Sequence, residues 1–166
     1  MKNSLGLFGK FDFEVWCPVR GRIYYTEVTN GITTEGITDM FDQYMRAGTG
    51  VTPYIGLIDN ANFSQVVATD TMASHSGWSE IVDYSETERP AWGPDAPASA
   101  QINNSVKAEF TMTVANEARG LFITTDNTKS GTAGKLWSTG VLDLVVTLQA
   151  GQTARAGYSL TGAGAS

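Results

Sequence analysis

The feature that most constrains the fold is an alternation of apolar and polar side chains that recurs along the chain. Near the N-terminus, Phe11, Phe13 and Val15 alternate with charged neighbours. The same period appears over residues 106–114, where every second side chain is apolar. Successive side chains of a strand point to opposite faces of a sheet, so this pattern predicts strands with one buried face.

Further strand segments lie between turn signals that contain Gly, Pro, Asn or Asp. The proline-rich residues 88–97 predict an irregular connection. Roughly six to eight short strands indicate a mainly β protein: an antiparallel β-sandwich of jelly-roll or Ig-like type with one short amphipathic helix. The other predicted strands cover residues 22–28, 54–58, 78–84, 120–124, 141–148 and 153–160.

The predicted helix follows the first hairpin. Its apolar side chains recur three and four residues apart, which places them on one helix face. Thr33 or Thr34 can cap its start, and Gly48 suits its end. We expect the apolar face to pack on the sheet. The residues of this face are Ile37, Met40, Phe41, Tyr44 and Met45.

The domain organisation is predicted from the turns and the chain ends. The turn at residues 18–21, between two strands, predicts an N-terminal hairpin or arm over residues 1–29. Residues 30–161 are predicted to form the β-sandwich domain. Residues 162–166 consist of Gly, Ala and Ser, a composition typical of a flexible tail.

Composition argues against several partners. The 166-residue chain has a formal net charge of −6 and an isoelectric point near 4.6, unlike a nucleic-acid-binding groove. No apolar run has the length of a membrane span and no signal-peptide pattern occurs, so we predict a soluble protein made in a cytoplasm with no membrane partner. The single Cys17 cannot form an internal disulfide and is interpreted as a small buried apolar residue.

Residues 129–138, KSGTAGKLWS, superficially look like a phosphate-binding loop. Such a loop needs the spacing G-x-x-x-x-G-K-[ST]. Here Gly131 and Gly134 are too close together, and Leu136 stands in place of the hydroxyl residue. Residues 125–134 are therefore predicted to be an exposed hairpin loop that binds no nucleotide, and residues 136–140 are predicted to continue as a strand.

Candidate catalytic residues are few. His75 is the only histidine, and its neighbours in sequence include Ser74, Ser76 and Asp70. Neighbours in sequence rarely have the geometry of a catalytic triad, so His75 is predicted to be a loop residue bonded to backbone. Asp70 is expected to cap a single helical turn over residues 70–73.

Acidic residues form groups that superficially look like glycosidase or calcium sites. Such residues are commoner in surface turns, and a calcium loop needs a Gly and a Glu at positions where Ser64 and Asp70 stand. No catalytic, cofactor or metal site and no enzymatic activity are therefore predicted. The groups are Asp39 with Asp42, Glu86 with Glu88, and Asp59 with Asn60 and Asn62.

The large aromatic residues allow two interpretations. Trp78, Trp92 and Trp137, with Tyr54 and Tyr84, can form a carbohydrate-binding platform on one face of the sandwich. Aromatic side chains also commonly fill small β cores. Core packing is the favoured interpretation.

Six blocks of sequence occur in the order found in a group of small tailed-bacteriophage proteins. Over residues 31–160 the chain resembles this group. The blocks are residues 30–37 (NGITTEGI), 54–60 (YIGLIDN), 70–80 (DTMASHSGWSE), 84–92 (YSExxRPAW), 120–129 (GLFITTDNTK) and 134–137 (GKLW).

This resemblance implies a virion structural protein. The preferred version is a capsid decoration or cement protein, a homo-oligomer that binds between major capsid proteins and stabilises the head. A neck, head–tail or tail component is the alternative within phage biology, and a carbohydrate-binding β-sandwich module is the alternative of another class. The resemblance implies no catalytic residue.

Overall fold

The computed structural model describes residues 6–40, 43 and 50–163. Ten strands and one α-helix occur in these residues. The strands are β1 (Gly6–Cys17), β2 (Gly21–Thr29), β3 (Gly31–Ile32), β4 (Tyr54–Asp59), β5 (Glu80–Ile81), β6 (Gln101–Asn103), β7 (Ala108–Thr111), β8 (Asn116–Thr124), β9 (Leu136–Leu148) and β10 (Thr153–Ala163), and the helix is α1 (Thr34–Met40).

The strands form two five-stranded antiparallel sheets. In the first, called sheet A, β2 pairs with β1 and β1 with β10, and the far side of β10 pairs with both β6 and β7. In the second, called sheet B, the order is β3-β9-β8-β4-β5. The first and last strands of the chain are therefore neighbours in one sheet.

The main core lies between the two sheets. Side chains from alternate positions of both sheets meet there and exclude water, which confirms the predicted antiparallel β-sandwich with one short helix. The fully buried contributors from sheet A include Phe11, Phe13, Val15, Phe110, Ala154 and Ala156, and those from sheet B include Ile55, Leu57, Leu121, Ile123 and Leu142.

A second, smaller core covers the outer face of sheet B. It consists of Ile58, Met72, Trp78, Phe122 and Leu136. This part of sheet B is buried on both faces, which explains why residues 120–124 are entirely buried. Phe110 and Phe122 belong to consecutive predicted strands, 106–114 and 120–124, which would place them on neighbouring strands. Both are buried, but they lie in different sheets and in different cores.

The N-terminal hairpin belongs to the sandwich, in contrast to the arm predicted for residues 1–29. Over its described part it pairs with β10, with Phe11 opposite Tyr158 and Leu7 opposite Gly162. Gly162 correspondingly lies in β10, so the predicted tail does not begin at that residue. Strand pairing between distant parts of the chain joins both ends to the body, and sequence periodicity does not reveal such pairing.

The helix is capped as predicted but packs differently. Thr33 Oγ1 accepts a hydrogen bond from the Gly36 N–H at 2.9 Å. Gly36 is the buried residue, because the helix contacts the main chain of Trp137 so closely that a Cβ would clash. Ile37 is 37% exposed, so its predicted packing is wrong, whereas Met40 packs against the core. Phe41, Tyr44, Met45 and Gly48 lie outside the described residues.

Two predicted strands are shorter than expected. The strand over residues 106–114 is limited to β7, and Val106 is 80% exposed. The strand over residues 78–84 is limited to β5, with one isolated bridge between Tyr84 and Met112. The alternation of apolar and polar residues continues beyond the residues that pair with another strand. Only this pairing decides where a strand ends.

Candidate functional site

A cleft of about 220 Å³ lies on the outer face of sheet B. Its apolar floor consists of Met72, Trp78 and Phe122. Arg89 and Glu80 are among the residues that line it. It is called the Arg89 cleft below. Residues 130–132, from the loop between β8 and β9, also line it, together with His75 and Ser79.

The Arg89 guanidinium is fully buried and its hydrogen-bonding capacity is almost completely used. It forms a bidentate pair with Glu80, from Nε to Oε1 at 2.8 Å and from Nη2 to Oε2 at 2.9 Å. Nη1 donates to the Asp126 carbonyl at 2.8 Å, and Nη2 donates to the Gly131 carbonyl at 3.0 Å. The guanidinium therefore has little capacity left to bind an anion.

These bonds hold the loop that superficially looked like a phosphate-binding loop. Besides the contacts to Arg89, the N–H of Ser130 donates to Glu80 Oε2 at 2.8 Å. Lys129 Nζ donates to the Tyr84 carbonyl at 2.7 Å and lies 3.8 Å from the centre of the Tyr84 ring. The prediction of a hairpin loop between two strands is confirmed, and the loop is fastened to the body of the protein.

Tyr84, beside this loop, carries a strongly perturbed phenol. Burial, followed by the negative charge of Glu80, raises the pKa of Tyr84 above its ordinary value. The phenol therefore stays neutral at physiological pH and is a poor general base.

His75 lies at the rim of the cleft and stacks on Trp78, with ring centroids 3.9 Å apart. Its Nδ1 is 3.1 Å from the Trp78 carbonyl, which accepts a hydrogen bond when Nδ1 carries the proton. The prediction of a loop histidine bonded to backbone is confirmed. The Ser–His–Asp hypothesis has no support, since Asp70 Oδ2 accepts hydrogen bonds from Trp78 Nε1 and the Val67 N–H.

The predicted helical cap at Asp70 is wrong. Residues 71–74 form a tight turn, in which Thr71 Oγ1 accepts the N–H of Ser74 at 3.0 Å. Asp70 instead holds the Trp78 indole over Phe122, whose ring centroid lies 5.1 Å away. A carboxylate that bonds a buried indole and a loop amide fixes the orientation of the whole cleft floor.

The acidic pairs do not form paired catalytic carboxylates. Asp39 accepts a hydrogen bond from Trp137 Nε1 at 2.8 Å, and Asp42 lies outside the described residues. Glu86 accepts the N–H of Thr111, whereas Glu88 accepts the side-chain amide of Asn127. Each described carboxylate of these pairs therefore bonds a different element of the fold.

The calcium-like group is also held by local hydrogen bonds. Asp59 Oδ1 accepts the N–H of Ala61, and the Asn60 side chain donates to Glu117 at 2.9 Å. Asn62 adopts a left-handed backbone with φ of 61°. Within residues 6–40, 43 and 50–163, no three His, Cys, Asp or Glu side chains lie close enough together to hold a metal ion.

The three tryptophans of the predicted carbohydrate platform are core residues, so a platform built from them is ruled out. Trp78, Trp92 and Trp137 are each at most 6% exposed, and Tyr84 is buried as well. The indole of Trp92 donates to Asn104 Oδ1 and to the Tyr158 carbonyl, both at 3.0 Å. The favoured interpretation, core packing with the indole N–H satisfied, is confirmed for these residues.

Cys17 is not buried, in contrast to its prediction. It is half-buried at the end of β1, where the chain turns into β2. Hydrogen bonds from the Val19 and Arg20 main chain hold the pKa of the thiol below its ordinary value. A turn residue has backbone amides nearby that can stabilise a thiolate, which a core cysteine lacks.

The outer face of sheet A carries a second group of charges, called the Lys107 cluster. Lys107 Nζ lies 2.6 Å from Asp12 Oδ1 and 3.3 Å from Glu14 Oε1. Burial alone would raise the pKa of Glu14, but the neighbouring Trp16, Arg22 and Lys107 side chains outweigh it and hold that pKa below its ordinary value. Burial likewise opposes the charge of Lys107, and its acidic neighbours raise its pKa overall.

Two sequence comparisons with known proteins give no match. No protein-family model matches the chain, and no curated protein matches its sequence. Any role for the Arg89 cleft therefore has to follow from its own residues. None of the helices in the described residues is long and apolar enough to span a membrane.

Sequence reasoning missed the two residues that organise the cleft, Arg89 and Glu80. Arg89 lies in the proline-rich connection, where periodicity carries no signal, and Glu80 lies in a two-residue strand. The available signal was the position of both residues inside blocks of the phage resemblance. Their pairing became visible only when sheet B brought residues 80, 89, 126 and 131 together.

Proposed function

We propose that the chain is a bacteriophage virion structural protein, most specifically a capsid decoration or cement protein that binds between major capsid proteins. The observation that carries the proposal is where the resembling segments meet. Residues 70–80 supply His75 and Trp78, residues 84–92 supply Arg89, and residues 120–129 supply Phe122 and the loop carbonyl that Arg89 binds.

These three resembling segments thus form one rigid structural unit. Their polar groups bond each other, as the pairs Arg89–Glu80 and Trp78–Asp70 illustrate. An active site needs polar groups that are available to bind a substrate. A structural protein needs loops that keep their conformation under mechanical stress. Saturated polar groups therefore favour the structural role.

The surface supports the same role. Single apolar side chains are exposed, including Phe8 in β1, Val106 in the connection before β7 and Leu144 in β9. Low charge content lets such surfaces pack against a protein wall with little desolvation of ions. A cement protein uses many modest contacts of this kind, repeated over a symmetric shell.

The test uses particles from a phage that lacks the gene for this chain. We expect heads to assemble but to lose DNA at a lower temperature than wild-type heads, and to withstand low ionic strength less well. Adding the purified protein back should restore heat stability, and electron microscopy should then show it between capsomers. The matched control adds back heat-unfolded protein, which should restore nothing.

Two outcomes would replace the cement assignment. Heat-stable heads that lack tails, or particles without infectivity, would favour the neck or tail alternative. Glycan binding by the folded protein would favour the carbohydrate module, and such binding would have to use residues other than the buried tryptophans.

A further inference from the structure

We draw no further inference here: the strongest candidate, the apolar groove where β1 begins and β10 ends, lined by Leu7, Ile102 and Leu160 among others, carries none because nothing in the structure shows what covers it.

Discussion

The Arg89 cleft and the Lys107 cluster contain the same kind of ion pair in different surroundings. The side chains of Arg89 and Glu80 are 0% and 6% exposed, and those of Lys107 and Asp12 are both 26% exposed. Arg89 bonds main-chain carbonyls of a loop that has no strand partner. In the Lys107 cluster the carboxylates instead lie on β1, whose main chain already pairs with β2 and β10, and Lys107 directly precedes β7.

The difference shows what a buried charge does in this protein. Where the backbone is already paired in a sheet, charged side chains only lie on its outer face, and water can screen their charges. Where the backbone is irregular, a guanidinium with several donors can satisfy carbonyls that no strand reaches. The three predictions below test this contrast, from the largest effect to the smallest.

Arg89→Met should have the largest effect. It leaves Glu80 buried without its partner and frees two loop carbonyls, so we expect a loss of about 3–5 kcal/mol in the free energy of unfolding. Urea titration followed by tryptophan fluorescence measures it. The double variant Arg89→Met with Glu80→Gln is the control and should recover part of the loss, because no unpaired charge remains. A loss below about 1 kcal/mol would contradict the structural role of Arg89.

Glu14→Gln should have a smaller, pH-dependent effect of about 1–2 kcal/mol at pH 7. The pKa of Glu14 is lowered in the folded state, so its contribution is present above the unfolded-state value of 4.5 and is lost as pH falls through the lower folded-state pKa. The stability difference between wild type and variant should therefore shrink from pH 7 to pH 3. A difference that grows toward low pH would mean that the folded state favours the protonated carboxyl.

Lys10→Met should have the smallest effect. Lys10 pairs with Glu27 at 3.0 Å, but both side chains are 45% exposed, so we expect a change within about 0.5 kcal/mol. The same urea titration at low and high salt checks this, and the small difference should vanish at high salt. A loss comparable to that of Arg89→Met would mean that an exposed ion pair on sheet A stabilises the fold as much as the buried pair of the Arg89 cleft does.

The strands could be predicted from the sequence wherever one face of the strand is buried and the other faces solvent. In β1 and β10 the apolar residues Phe11, Phe13, Ala154 and Ala156 alternate as expected and are fully buried. The pattern over residues 106–114 was overextended, since Val106 and Val114 have no partner strand. Alternating apolar and polar residues indicate a segment that is suited to a strand with one buried face. Pairing with another strand decides whether the segment forms that strand.

The candidate site was less predictable than the fold. The environment of His75 was predicted, because a single histidine among Ser and Gly residues is typical of a loop. The link from Arg89 to Glu80 and Gly131 was not, since these residues are separated in sequence and share no period. The turn at Ser99 and Ala100 was likewise not predicted, because the residue types do not indicate its left-handed backbone.

The sequence by itself determined the class of architecture, the capped helix start and the placement of Trp78, Trp92 and Trp137 in the core. These follow from local rules: side-chain period, capping by a hydroxyl, and the large apolar area of an indole. Only the tertiary structure decided that β1 and β10 are neighbours and that Arg89 fastens the loop between β8 and β9. Each of these depends on contacts between residues far apart in the chain, whose energy arises only when the sheets bring them together.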